Sequence, residues 1–369
     1  MKPGWTTVAL GEICELKYGK ALAAALRVPG AYPVFGSNGQ VGNHDRCVTS
    51  GPTIIVGRKG SFGEVNYSEI PCWPIDTTYY IDRTATKQDL RWLRHVLPSL
   101  RLTELNRAAA VPGLNRDDAY GQRLLLPPLE EQRRIAAILD HAAGLRVLNQ
   151  RFVFGLNRLS NGLTDWLLRQ GSHESVALGD ASDIQGGLQV SGKRAALPVA
   201  VPYLRVANIG RGHVDLSDIK MLRVTQQELN RVRLQPDDLL LVEGHGNPSE
   251  VGRAARWDGE HENMVHQNHL IRVRATGDRF LPVVLEALIN SSLGREHFTR
   301  FGKTTSGLNT ISTSNVRSLI LPVLSKATQS DFAERSKALG QQRERFAQQE
   351  CALSRLGDSL QARAFSGGL

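Results

Sequence analysis

Pro128-Leu129-Glu130-Glu131-Gln132-Arg133-Arg134-Ile135-Ala136-Ala137-Ile138-Leu139 opens the stretch that decides the fold. From Ile138 an apolar residue returns every seventh position, at Leu145, Phe152, Leu159 and Trp166. A second row at the same period holds Ile135, Ala142, Asn149, Leu156 and Leu163. Two rows at sevens predict the a/d seam of a coiled coil about five heptads long. The helix is expected to begin near Leu129, after Pro127-Pro128, with Glu130 and Glu131 where the helix dipole favours carboxylates. Gly171-Ser172 supplies its end. Asn149 is the one amide in the rows. Buried, it would fix register at some cost in stability; at an exposed edge it would do neither.

The pattern then recurs. An offset of 194 carries Gly113-Leu114-Asn115 onto Gly307-Leu308-Asn309, Arg123 onto Arg317 and Pro128 onto Pro322. The same offset carries the first row onto Phe332, Leu339, Phe346, Leu353 and Leu360, with no gap. This second helix, roughly Ala327 to Ala364 before Ser366-Gly367-Gly368, has a poor second row of Arg335, Gln342, Gln349, Leu356 and Arg363. It is therefore expected to pack antiparallel on the first. Upstream, Val8-Ala9-Leu10-Gly11-Glu12 matches Val176-Ala177-Leu178-Gly179-Asp180 at an offset of 168, which implies a 26-residue insertion in the second copy. The chain reads as one unit written twice, and a doubled protein suits a target with two halves. A helix of about 40 residues spans roughly 60 Å, long enough to hold two modules apart.

A length of 369 residues suits two to four domains. No stretch resembles a membrane span, and Met1 to Leu10 lacks the apolar core of a secretory signal, so a cytoplasmic location is expected. Cys14, Cys47, Cys72 and Cys351 have no paired spacing and read as small side chains rather than disulfides or zinc ligands. The net charge of +9 divides evenly, as +4 for residues 1–128, +2 for 129–171, +1 for 172–325 and +2 for 326–369. No segment is strongly basic, so charge alone makes a weak case for a polyanion. The 35 Arg against 10 Lys fit bidentate contacts to phosphate or guanine, and a GC-rich genome would produce the same bias.

Between the helices lie two divergent modules. In the first, strands are expected at Tyr32 to Phe35, Thr53 to Val56 and Glu64 to Tyr67, followed by a strand-like run from Trp73 to Tyr80. Gly36-Ser37-Asn38-Gly39 is a turn signal. Gly57-Arg58-Lys59-Gly60-Ser61-Phe62-Gly63 places two cations among glycines that let a backbone approach a ligand, which suits phosphate contact with base reading beside it. A plain polar hairpin loop is the alternative. The second module has strands expected at Leu239 to Glu243 and Val251 to Trp257, around Gly244-His245-Gly246-Asn247-Pro248-Ser249, then a run from Met264 to Arg274. Equivalent loops with unlike side chains are what two readers of unlike sequences need.

Catalytic readings fail at identifiable positions. Gly302-Lys303-Thr304 has the end of a P-loop, but His297 stands where its first glycine should be. Pro236-Asp237 with Glu243 would be a nuclease core only with a lysine at His245. His261, His266 and His269 lack a cysteine or carboxylate cluster to complete a metal set. Asn247-Pro248-Ser249-Glu250 misses the amino-methyltransferase pattern at its third residue. No chemistry is expected in this chain.

Leu126 to Leu139 resembles the opening of the first conserved helix in specificity (S) subunits of type I restriction-modification systems. Ala362-Arg363-Ala364-Phe365-Ser366-Gly367-Gly368-Leu369 resembles that family's usual ending. Tyr32 to Gly42, Ile54 to Tyr67, Trp73 to Ile81, Pro202 to Ile209 and Val265 to Arg272 are similar to its target-recognition domains. The resemblance covers the whole chain. It implies an α+β fold in which two α/β target-recognition domains, in pseudo-twofold repeat, are joined by two long antiparallel coiled-coil helices. The corresponding boundaries are 1–128, 129–171, 172–325 and 326–369.

The resemblance also implies a non-catalytic subunit that binds double-stranded DNA at an asymmetric, interrupted site and assembles with two methyltransferase (M) subunits and with restriction (R) subunits. S-adenosylmethionine would belong to the M subunits, ATP and Mg to the R subunits, and no cofactor to this chain. Candidate DNA contacts are Asn38, Gln40, Arg58, Lys59, Ser61, Thr77, Thr78 and Asn115 in the first module. In the second they are Arg205, Asn208, His245, Asn247, Ser249, Arg253, Gln267, Asn268 and Asn309. Glu131, Gln132, Arg133 and Arg134 are candidate methyltransferase contacts; Pro322-Val323-Leu324-Ser325-Lys326 departs from that motif in the second copy. Two other readings stay open: a coiled-coil scaffold whose modules bind protein, and a self-contained restriction enzyme.

Overall fold

The computed structural model describes residues 4–105, 113–302 and 309–369. It divides into two units, Met1–Phe152 with Phe346–Leu369 and Val153–Arg345, so each long helix contributes one part to each unit.

In the first unit, a four-stranded antiparallel sheet runs in the order Lys17–Tyr18, Thr78–Ile81, Thr53–Gly57, Val65–Ser68. A three-stranded sheet runs Gly39–His44, Tyr32–Gly36, Trp73–Pro74, its last pair parallel. Thr6–Ala9 pairs with Arg123–Leu126. The second unit repeats each piece. Ser182–Gly186, Leu270–Ala275, Leu239–Val242 and Ala254–Arg256 form the four-stranded sheet. Lys220–Val224, Val199–Leu204 and Val265–His266 form the three-stranded one, again with a parallel last pair. Ser175–Ala177 pairs with Ile320–Pro322. Thr53–Gly57 and Leu239–Val242 are buried throughout, as central strands covered on both faces must be.

The runs expected as single strands are each broken. Trp73 to Tyr80 splits into Trp73–Pro74 and Thr78–Ile81, in different sheets, at a turn where Thr78 N donates to Ile75 O. Met264 to Arg274 splits likewise into Val265–His266 and Leu270–Ala275.

The structure also corrects the register of the repeat. The two long helices, Leu129–Arg169 and Lys326–Ser366, both have 41 residues and begin 197 positions apart (326 − 129). The short helices Arg116–Tyr120 and Thr313–Arg317 obey the same offset, and Asn115 and Ser312 cap them by accepting from Asp117 N and Asn315 N. Leu10 N donates to Gln122 O where Leu178 N donates to Leu319 O, keeping 168 upstream and 197 downstream. The slip between copies is thus 29 residues. An offset of 194 also aligns the apolar residues, because a three-residue shift moves one seam row onto the other and preserves the pattern. Of the motif it invoked, Gly307-Leu308 lies outside the described residues, as does Lys303-Thr304, and Asn309 sits in a strand where Asn115 caps a helix.

The seam of the first helix shifts accordingly. Ile135, Leu139, Ala142, Asn149 and Leu167 are buried, whereas Leu145, Phe152 and Leu159 are 38%, 51% and 61% exposed. The true second row is Leu139, Arg146, Val153, Ser160 and Leu167, whose polar members hid it; Ile138, Leu145, Phe152, Leu159 and Trp166 flank the seam. In the second helix, Phe332 is buried and Leu339, Phe346, Leu353 and Leu360 are half-buried, so that row faces inward.

The helices pack antiparallel. In the first unit Ile135, Ala136 and Leu139 share a core with Leu360, Ala364 and Phe365. Near the other end of that pairing, Phe152 stacks on Phe346 at 5.3 Å between centroids. In the second unit Leu163, Trp166 and Leu167 share a core with Phe332, and the Arg335 guanidinium lies 5.3 Å from the Trp166 ring centroid. Asn149 takes the buried option. Its Nδ2 donates to Phe346 O (3.1 Å) and Glu350 Oε2 (3.0 Å), and Arg146 donates to the same carboxylate at 3.1 Å.

Candidate nucleic-acid interface

In the first unit the strand Thr53–Gly57 runs directly into the cationic loop. A Cβ on Gly57 would meet Ser61 O at 2.1 Å, so only glycine lets the loop fold back on the strand. Arg58 N and Lys59 N donate to Thr77 O at 2.9 and 3.1 Å, Leu114 N donates to Arg58 O at 2.9 Å, and Ser37 Oγ donates to Thr77 O at 2.6 Å. Lys59 also bridges Gly113. Four segments far apart in sequence are thereby fastened at one station.

The Arg58 guanidinium donates to Asp76 O through Nε (3.1 Å) and a terminal nitrogen (2.6 Å), which fixes its plane. It lies 5.3 Å from the Tyr18 ring centroid and 5.9 Å from that of Tyr79. Arg116 lies 5.2 Å from Tyr18 and 5.8 Å from Tyr120. The Tyr79 hydroxyl donates to Leu114 O at 3.2 Å, and burial, helped by Tyr18 alongside, pushes the phenol up to about 12. Around these groups is a cavity of about 400 Å³ lined by Tyr18, Arg58, Lys59, Tyr79 and residues 113–117. Guanidinium groups held beside aromatic rings present directed donors at little entropic cost, which suits phosphate oxygens or a base edge.

The second unit builds the same station. Glu243 N donates to His269 O (3.0 Å), and Ile311 N donates to Glu243 O (2.9 Å). Gly244–His245 pairs with Asn309–Thr310. Its cavity, about 620 Å³, is lined by Val206, Glu243, Gly244, His269, Thr310, Ile311, Ser312 and Asn315.

Several candidates from the sequence meet at these stations. Arg58, Lys59 and Asn115 line the first cavity, and Thr77 O accepts from the Arg58 and Lys59 backbone behind it. Exposed Asn38 and Ser61 lie in the loops that approach Gly57, and exposed Gln40 donates to Asn43 Oδ1 at 2.7 Å. In the second unit Asn309 Nδ2 donates to His245 O (3.3 Å) and Gly246 O (3.2 Å). Asn247 N donates to His245 Nδ1, and Asn247 Oδ1 accepts from Ser249 N and Oγ, so that loop holds its own shape while staying exposed. Gln267 and Asn268 are half-buried, their backbone N–H groups donating to Leu204 O and Leu188 O.

Others make their hydrogen bonds inside the fold. Thr78 is fully buried and its hydroxyl donates to Ile75 O at 2.7 Å. Asn208 is buried, accepting from Arg205 N and donating to Asp215 O and Asp218 O. Arg205 is held by Asp218 at 2.6 Å, and Arg253 clamps Ile209 O, Val206 O and Glu250. These four shape the modules. Gln132 is 1% exposed and its carboxamide is engaged within its unit; Glu131 and Arg134 pair with each other at 2.7 Å, and Arg133 is exposed.

Tyr18 and Arg116 were not singled out in the sequence. Only strand pairing and the short helix after Asn115 bring residues so distant together, and no local signal marks them. Among the described residues no group of three metal-ligating side chains assembles; His266 is buried, His261 stacks on Trp257, and His269 faces Glu243 at 3.2 Å.

Residues 2–145 match the family model described as the type I restriction modification DNA specificity domain. The chain is 32% identical over 193 residues to the type I restriction enzyme EcoKI specificity subunit of Escherichia coli (strain K12), covering 51% of this chain and 41% of that one. It is 25% identical over 175 residues to the StySPI specificity subunit of Salmonella potsdam, covering 46% and 37%. The chain therefore spans about two fifths of the length of the curated relatives it matches. Its fold is like that of a type I restriction-modification S subunit from M. genitalium, with a TM-score of 0.66, 16% identity, and coverage of 98% of this chain and 96% of that one. A chain from a type I restriction-modification assembly gives a TM-score of 0.60 at 15% identity, with coverage of 100% and 99%.

Proposed function

We infer that the chain is a type I restriction-modification specificity subunit, which binds double-stranded DNA at a bipartite site and directs partner enzymes to it. One observation carries this reading. The same sheets, short capped helix and loop station are built twice, while the side chains at the station differ. Each unit would read one half of the site. Two methyltransferase subunits bearing S-adenosylmethionine, and restriction subunits using ATP and Mg, would supply the chemistry. Large apolar side chains left exposed on the first long helix fit coverage by such protein partners: Val147, Leu148 and Phe152 in the first unit, Phe154 and Leu159 in the second. Glu131, Arg133 and Arg134 remain candidate contacts at its start.

The test is DNA binding by the chain assembled with its methyltransferase partner, measured across salt concentrations. Arg58→Ala with Lys59→Ala should weaken binding and, for each lost phosphate contact, lower the salt slope by about one. Salt-insensitive association, or isotherms unchanged by both substitutions, would favour a protein-binding scaffold instead.

A further inference from the structure

We propose that the two units read chemically opposite base edges from the same station, Arg58 offering donors in the first and Glu243 an acceptor in the second. The inference rests on the DNA-reading role above and deepens it. The equivalence is topological. Arg58 N donates to Thr77 O and Arg58 O accepts from Leu114 N; Glu243 N donates to His269 O and Glu243 O accepts from Ile311 N. Leu114 and Ile311 are themselves 197 positions apart, each one residue before a helix N-cap. The station is one place, and its charge is inverted.

The neighbouring positions change with it. Lys59, which bridges Gly113, has Gly244 as its counterpart, which pairs with Thr310. Tyr18, paired with Tyr79, corresponds to Gly186, paired with Ile271. A cation beside an aromatic wall, with a second cation next to it, has been exchanged for a carboxylate beside His269 in a larger cavity. Glu243 is 32% exposed and lines the cavity, and His269 Nδ1 lies 3.2 Å from its Oε2.

Phosphate oxygens only accept hydrogen bonds, so a carboxylate cannot hold DNA by its backbone and is repelled by it. In the major groove the groups that donate to a carboxylate are the amino groups of cytosine N4 and adenine N6. Arg58 has the opposite preference, because guanine O6 and N7 only accept. The first half-site therefore contains a guanine edge at this station, and the second a cytosine or adenine amino edge.

The experiment compares wild type, Glu243→Gln and Arg58→Gln in the full chain co-produced with its methyltransferase partner. Methylome sequencing and competition binding to single-base-pair variants are the readouts. A carboxamide both donates and accepts, so Glu243→Gln should relax one base pair of one half-site, with discrimination there falling on the order of tenfold. Arg58→Gln should relax a guanine-containing pair in the other half. Thermal unfolding of Glu243→Gln should match wild type. A variant motif identical to wild type overturns the proposal. So does a uniform rise in affinity for all duplexes, which would make Glu243 a simple repulsive charge. A wild-type complex with no sequence motif at all would instead remove the DNA-reading role beneath it.

Discussion

Replacing Gln132 with leucine should loosen one helix of the first unit and leave its counterpart in the second unit intact. The Gln132 carboxamide accepts from Asp89 N at 2.9 Å and donates to Gln88 Oε1 (2.8 Å) and Pro127 O (2.9 Å). Asp89 is the N-cap of the helix Leu90–Ser99, its own carboxylate accepting from Trp92 N. One buried side chain thus fastens that helix to the start of the long one. Leucine fills nearly the same volume, so the cost is polar: the Asp89 N–H and the buried Pro127 carbonyl lose their partner. At about 1–3 kcal/mol for each stranded group, with Asp89 only half-buried, the local loss is about 2–4 kcal/mol. Amide exchange in Leu90–Ser99 should then quicken by roughly 30-fold or more, read by hydrogen–deuterium exchange mass spectrometry. Gln329 repeats the device 197 residues on, accepting from Leu281 N and donating to Arg279 O and Leu324 O. Gln329→Leu should therefore act on Pro282–Asn290 and spare Leu90–Ser99. Exchange changed by less than about threefold in both variants would refute the reasoning.

Three further outcomes are expected. His266 is fully buried, and burial, reinforced by Arg272, lowers its pKa from 6.5 to about 4. The unfolded chain then takes up the proton first, so stability should fall as pH drops from about 6.5 to 4, by about 3 kcal/mol at 1.36 kcal/mol per unit. Urea midpoints for the second unit should show this decline, and His266→Gln should flatten it; an equal decline in the variant would contradict the assignment. Asn149→Leu removes a buried amide whose Oδ1 has no partner, so unfolding stability should stay level or rise by about 1 kcal/mol, and a loss above about 2 kcal/mol would show that the amide stabilises the pair. Adding one heptad to both long helices adds about 10 Å of helix and should widen the spacer of the recognised site by about three base pairs, as methylome sequencing would show; an unchanged spacer would refute a ruler role.

The helices, the doubling and the strand-rich modules were legible because period and punctuation are local properties of a chain. Tyr32–Gly36 and Thr53–Gly57 lie where their β-branched and aromatic runs place them. The register of the repeat was not legible. Heptad rows lie three and four residues apart, so an alignment three residues wrong keeps every apolar residue on an apolar row, and only hydrogen bonds such as Leu178 N to Leu319 O decide between them. The apolar row of Leu145, Phe152 and Leu159 likewise drew the seam off the row that holds Leu139, Arg146 and Val153, whose polar member broke the pattern.

For the site, the glycines and cations around Arg58 marked the station, but side-chain direction was hidden. Thr78 and Arg58 are 20 residues apart in sequence, yet one turns into the core and the other onto Tyr18. Glu243 looked like half of a failed metal site until its backbone partners placed it opposite Arg58 in the repeat.

The central claim is that two copies of one fold each read half of one target. Exchanging residues 1–128 for the corresponding module of a type I specificity subunit, in the chain co-produced with one type I methyltransferase subunit throughout, tests it most directly through methylome sequencing. Only one half of the methylated motif should change, with the other half kept; a motif altered in both halves, or in neither, would contradict the account.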